Sequence, residues 1–182
     1  NPKVMDMKIA IKTSFDGGLE KAEKTGFKYV ELYTERKYIS NVYADIAKRF
    51  PFEYSVHSPV DYINESVIDF AHQIGSKVVI THFIVSLQRL AEIVDYAKKC
   101  GIIICIENSP EIVPWKLFGR ISTARDFSDM KEVVPKIKMN LDTEHAIITG
   151  VFPQLIQEIG KDIGHVHITG YPPNPHSPPF EN

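Results

Sequence analysis

The chain has 182 residues, 43% of them hydrophobic, and a formal charge of -2, which suits one globular domain with a substantial core. That balance lacks the basic excess of a nucleic-acid surface, and no apolar run reaches the roughly 18 residues that span a bilayer. A cytoplasmic protein is expected, and Cys100 and Cys105 read as buried, reduced thiols because two cysteines cannot build a disulfide framework.

After a short leading segment, NPKVMD, β-branched runs alternate with amphipathic stretches. Strands are expected at KIAIKTS (8–14), YVELYT (29–34), EYSVHSP (53–59), KVVITHF (77–83), IIICIENS (102–109), KMNLDT (138–143) and HVHITG (165–170). Helices are expected at LEKAEKTG, NVYADIAKRF, NESVIDFAHQIG, SLQRLAEIVDYAKKCG, STARDFSDMKEVV and PQLIQEIGKDIG, with Asn64, Ser86 and Ser122 as N-caps. The run EKAEK reads as a solvated helix face, and His72 as a surface or interface residue on its helix. Trp115 and Phe118, in EIVPWKLFGR, read as residues packing a short helix onto the domain, with an apolar wall over a substrate as the other reading. YPPNPHSPP (171–179) is rich enough in proline to be a stiff loop presenting His176 to the barrel mouth, with a disordered tail as the other reading.

Strand-then-helix repetition implies parallel strands joined by right-handed crossovers. An open doubly wound sheet would place its chemistry at one switch point, usually beside a glycine-rich phosphate loop, and no such loop appears. Instead, polar residues stand at the ends of successive strands: His57, His82, Glu107, Asp142 and His167. That distribution is what a TIM (β/α) barrel requires, because its site is assembled from many strand ends at one face. Residues 1–182 are therefore expected to form a single α/β barrel domain. Seven strands are visible, so the barrel reads as incomplete, truncated at the C-terminus with the eighth βα unit missing. Strands one and seven would then be open edges, and either a homodimer contact through them or a longer native protein is expected.

Alternation along each strand puts Asn140 with Asp142, and His165 with His167, on one face. His165, two residues deeper, reads as a hydrogen-bonded core residue. Asp142 and His145, in NLDTEHAIITG, have a plain reading as a strand-ending cap. What favours ligation is recurrence. Imidazole with carboxylate is the donor set of Zn²⁺, Mn²⁺ and related ions, and burying Glu107 beside Asp142 without a cation costs several kcal/mol per unpaired charge.

With these motifs in order, the chain resembles the xylose-isomerase-like TIM-barrel superfamily, which includes sugar isomerases and epimerases and the endonuclease IV-like nucleases (AP endonuclease family 2). The resemblance rests on GFKYVELY (26–33), VHSPVDYIN (56–64), VVITHF (78–83), CIENSP (105–110), LDTEHA (141–146), HVHITG (165–170) and HSPPFEN (176–182). It implies a shared metal core of Glu107, Asp142 and His167. It implies His57, His82, His145 and His176 as the further ligands of a multinuclear site, with one to three Zn or Mn ions in all. The chain departs from the family pattern at Gly170, Asn174, Phe180 and Asn182, and the eighth-strand glutamate has no counterpart.

The resemblance points first to a metal-dependent isomerase or epimerase acting on a small sugar, sugar phosphate or keto acid through a metal-stabilised enediolate. Glu107 would be base as well as ligand, and His145 would orient the oxygens of a carbohydrate-like substrate. The alternative is an endonuclease IV-like phosphodiester hydrolase on abasic DNA with a multinuclear zinc site, against which the charge and the short loops after the strands argue. A third reading is a non-catalytic, vestigial metal-binding barrel.

Overall fold

The computed structural model describes residues 8–110 and 118–169. Its strands are β1 (Ala10–Thr13), β2 (Tyr29–Tyr33), β3 (Glu53–His57), β4 (Val78–Thr81), β5 (Ile103–Glu107), β6 (Lys138–Asp142) and β7 (Ile163–His167). They pair in parallel in the order β1 to β7, each with its neighbour in sequence. Between them run α1 (Gly18–Thr25), α2 (Asn41–Ala47), α3 (Glu65–Gln73), α4 (Leu87–Lys99), α5 (Ala124–Val133), α6 (Thr143–Ile148) and α7 (Phe152–Ile159). The sheet curls into an incomplete TIM barrel, far enough for side chains of β2 and β7 to touch. Among the described residues, no helix is long and apolar enough to cross a membrane.

Side-chain alternation gives the two faces of this sheet opposite characters. One set, Val30, Leu32, Val56, Val79, Ile104, Ile106, Met139 and Leu141, is fully buried against helix residues such as Val67, Leu90, Ile93 and Phe127. This layer is the hydrophobic core. The other set lines the inside of the curl and is largely polar: Glu31, Ser55, His57, Glu107, Asn140, Asp142, His165 and His167. Parallel partners share a face, so the pairs Glu31↔Ser55, Glu107↔Asn140 and Asp142↔His167 carry that polar lining around the sheet.

One irregularity sets the register of β7. Met139 pairs with Ile163, but Asn140 pairs with His165, so Gly164 is an extra residue on the β7 side. Such a bulge moves every following side chain by one position, from one face to the other relative to its neighbour strand. Without it Asp142 would face Val166; with it, Asp142 faces His167. Glycine is needed here because a Cβ at 164 would lie 2.9 Å from Cys105 Sγ and 2.9 Å from Lys138 Cβ.

Several expectations need correction. Thr123, not Ser122, caps α5, through a reciprocal capping box with Asp126; the Ser122 N–H instead donates to Asp126. Asn64 and Ser86 cap α3 and α4 as expected. The stretch after β6 is not a bare strand end: α6 starts at Thr143 with Asp142 as its cap. The last expected helix stops at Ile159, and β7 begins at Ile163 rather than at 165. Cys105 is buried but Cys100 is half-exposed at the end of α4, and both thiols are free. Phe118 is 61% exposed, with its ring 5.6 Å from that of Phe83; the rest of the short helix expected there lies outside the described residues. His72 lies exposed on α3, and Ala22 is the buried member of EKAEK. Trp115 and the proline-rich loop lie outside the described residues.

Candidate metal centre

The inward ends of β3, β5, β6 and β7 deliver His57, Glu107, Asp142 and His167 to one place, and His82 joins them one residue past β4. All five are buried, at 8% exposure or less. Glu107 is the hub. Its Oε2 lies 3.3 Å from His57 Nε2 and 3.2 Å from His167 Nδ1, and it accepts from Asn140 Nδ2 at 3.0 Å. His167 Nδ1 also lies 3.6 Å from Asp142 Oδ2. The His57 ring stacks on His167 at 5.7 Å and stands 5.3 Å from His82.

Asp142 performs both of the roles its sequence allows. Its Oδ1 accepts the His145 N–H at 2.9 Å and so caps α6, leaving Oδ2 on the side of His167. His145 is brought in by the first turn of that helix, with Nδ1 3.5 Å from Glu107 Oε1. This nitrogen donates to the Asn108 carbonyl at 2.8 Å. His57 Nδ1 likewise donates to the Ser58 carbonyl at 2.8 Å. A ring nitrogen on a carbonyl carries the proton, so a neutral His57 turns a bare Nε2 toward Glu107. Protonated, the same nitrogen donates to that carboxylate; neutral, it turns a lone pair toward it, and a cation fits between the two.

Two functional residues were not foreseen. Glu31, 3% exposed in the middle of β2, accepts from His167 Nε2 at 2.9 Å. It also pairs with Lys12 at 3.2 Å and stands 3.4 Å from His165 Nε2. Asn140 takes His165 Nδ1–H on its Oδ1 at 2.9 Å and turns its Nδ2 toward both Glu107 and His167 Nδ1. The signal was present in both cases as a polar side chain between apolar neighbours in a strand, Val30–Glu31–Leu32 and Met139–Asn140–Leu141. His165 is indeed hydrogen-bonded, as expected, though it is half-buried rather than part of the core.

Charge is unbalanced toward the negative. Burial alone would raise the carboxyls of Glu31 and Glu107, yet hydrogen bonds from His167, and from His57 onto Glu107, hold both well below the usual range. Burial would lower His167, but Asp142, Glu107 and Glu31 hold its proton up to about 11. Burial drives His82 down to about 4 against the pull of Glu107, and lowers His165 against that of Glu31. Three buried carboxylates therefore share few cations of their own, and a metal would compete with the His167 proton for the same nitrogen.

The donor set fits a divalent ion. Among the described residues, three groups each bring three ligand atoms within 4.8 Å of one another: Glu107, Asp142 and His167; His57, His82 and Glu107; and Glu31, His165 and His167. Six of the seven candidate ligands, His57, His82, Glu107, Asp142, His145 and His167, are thus gathered in one site, with His145 at its margin. His176 lies outside the described residues.

The family model described as a xylose isomerase-like TIM barrel matches residues 63–181. The chain belongs to that family. No curated protein matches it. Among solved structures, this xylose isomerase-like barrel is similar to a D-tagatose 3-epimerase-like protein, at 23% identity over 90% of this chain and 76% of that one, with a TM-score of 0.67. It is similar to a D-psicose 3-epimerase at 18% identity over 93% and 78% of the two chains, with a TM-score of 0.69. For an L-ribulose 3-epimerase the figures are 19%, 90%, 70% and 0.68. At these identities the likeness is one of fold.

Proposed function

We propose that this chain is a divalent-metal-dependent isomerase or epimerase acting on a small sugar, sugar phosphate or keto acid. The observation that carries the reading is the buried group of Glu107, Asp142 and His167, two carboxylates and an imidazole aimed at one point from three strand ends. Structural neighbours that act on ketoses, the D-psicose and L-ribulose 3-epimerases, support it. A bound Zn²⁺ or Mn²⁺ would supply Lewis acidity, drawing electrons from adjacent carbonyl and hydroxyl oxygens and acidifying the C–H between them.

The chain's own residues would do the rest. Glu107 presents a carboxylate held ionised by its histidine partners, the form a base toward carbon must have. His145 is fixed by Asn108 beside Glu107 Oε1, where it would orient substrate oxygens. Asn140 holds Glu107 Oε2 and keeps the other oxygen for chemistry. The surrounding side chains are buried, which limits water and strengthens these electrostatic contacts.

The second group, His57, His82 and Glu107, favours one other reading: a site with more than one ion, hydrolysing a phosphodiester of abasic DNA. The experiment that decides is proton exchange. Zinc- or manganese-loaded protein is incubated with D-psicose, D-tagatose, D-fructose or L-ribulose in D₂O, and deuterium entry at carbon is followed by NMR. Incorporation that disappears in Glu107→Gln supports the isomerase. Cleavage of an abasic oligonucleotide without exchange supports the hydrolase. Tight metal binding with neither activity assigns the barrel a non-catalytic role.

A further inference from the structure

Resting on the metal-centre reading, we propose that Glu31 is a positioning residue which fixes the ring of His167 and turns its Nδ1 toward Glu107 and Asp142. The contact that decides is across the curl of the barrel. Both carboxylate oxygens of Glu31, on β2, lie 2.9 Å from His167 Nε2 on β7. The opposite nitrogen of the same ring faces Glu107 Oε2 at 3.2 Å and Asp142 Oδ2 at 3.6 Å.

A metal can take only one nitrogen of the His167 ring, and the other nitrogen then keeps the ring's one N–H. If the proton sits on Nδ1, it donates to Glu107 and no lone pair remains for a cation. If it sits on Nε2, Nδ1 is bare. Glu31 favours the second form, because it gives Nε2–H a buried anionic acceptor. Lys12 Nζ, 3.2 Å from Glu31 Oε1, keeps the acceptor charged. Glu31 needs no contact with substrate for this role; it acts through His167.

The rival use of Glu31 is as a ligand in its own right, with His165 and His167. Stoichiometry separates the two. Zinc and cobalt binding are measured by calorimetry and chelator competition on wild type, Glu31→Gln and Glu31→Leu, together with the visible spectrum of the cobalt form. Glu31→Gln keeps an oxygen to accept Nε2–H and is expected to bind the same number of ions about 10-fold more weakly. Glu31→Leu is expected to lose about 100-fold and to shift the cobalt spectrum. In the zinc-loaded wild type, the His167 Nε2 proton is expected as a low-field, slowly exchanging resonance. It should persist in the Gln variant and vanish in the Leu variant.

Wild-type affinity in Glu31→Leu, with an unchanged spectrum, would overturn the proposal while leaving the metal centre intact. Loss of one whole equivalent, with the tightest site unaffected, would overturn it in favour of a ligand role. Should Glu31→Leu not fold, Glu31→Gln decides: unchanged affinity and an unmoved Nε2 proton overturn the proposal. A wild type that takes up no cation overturns the proposal and the function it rests on together.

Discussion

Asn108 and Asp142 exchange two hydrogen bonds between β5 and β6: the Asp142 N–H donates to Asn108 Oδ1 at 2.6 Å, and Asn108 Nδ2 donates to the Asp142 carbonyl at 3.1 Å. The residue next to Glu107 thus aligns the backbone of Asp142, so two candidate ligands share one brace. Asn108→Ala leaves a buried N–H and a buried carbonyl unpaired, a cost of about 1–3 kcal/mol. Urea unfolding should show that loss, and calorimetry should show weaker zinc binding in the same variant. Unchanged zinc affinity would mean that α6 alone holds Asp142 in place.

Asp142 has a capping oxygen and a centre-facing oxygen, and two substitutions separate them. Asp142→Asn keeps an acceptor for the His145 N–H but loses the charge; Asp142→Ala loses both. Both should bind zinc more weakly by more than the roughly 100-fold ascribed to an outer partner. The alanine variant should also be less stable than the asparagine variant by about 1 kcal/mol, the usual worth of an N-cap. Equal melting temperatures in the two would show that the cap contributes nothing.

Stability should fall on acidification above the carboxylate range. His82 is neutral in the fold because burial lowers it to about 4, whereas in the unfolded chain it titrates near 6.5. Its contribution is present above the unfolded value and lost as pH falls through the folded one, because the unfolded chain takes up the proton first. The difference is on the order of 3 kcal/mol. Chelator-treated protein should therefore be easier to unfold in urea at about pH 4.5 than at about pH 7, and His82→Phe should flatten that slope. An equal slope in the variant would move the effect to His165, which burial also lowers.

Gly164 allows the bulge that brings His167 opposite Asp142. A methyl group there would meet Cys105 Sγ and Lys138 Cβ, each at 2.9 Å. Overpacking of this kind costs about 1–3 kcal/mol. Gly164→Ala should lower the melting temperature and weaken zinc binding, because β7 carries His167. Adding Cys105→Ala removes one of the two clashes and should recover part of the stability. A fully stable Gly164→Ala would show that β7 has room to shift.

Much of the fold was legible along the chain. Short β-branched runs located the seven described strands within a few residues, because each strand buries at least one face against helices and that face must be apolar. The polar ends, from His57 to His167, were legible for the same reason, since a histidine or carboxylate after an apolar run stands out. Short elements were not. The six residues of α6 are too few to show a helical period, so its cap read as a strand ending. Ser122 and Thr123 are both good caps by type, and the Asp126 side chain decided between them by reaching back to the Thr123 N–H at 2.8 Å.

Local chemistry along the chain determined which residues are polar, which are apolar and in what order they recur. It therefore determined the parallel α/β barrel architecture and a candidate ligand set. Tertiary structure decided which of those residues meet. Glu31 and His167 are 136 positions apart, and no periodicity relates them; they touch because the sheet curls and because one extra residue, Gly164, sets which face of β7 looks inward. Register between strands depends on contacts made by both partners at once, so it becomes definite only when the whole barrel is assembled.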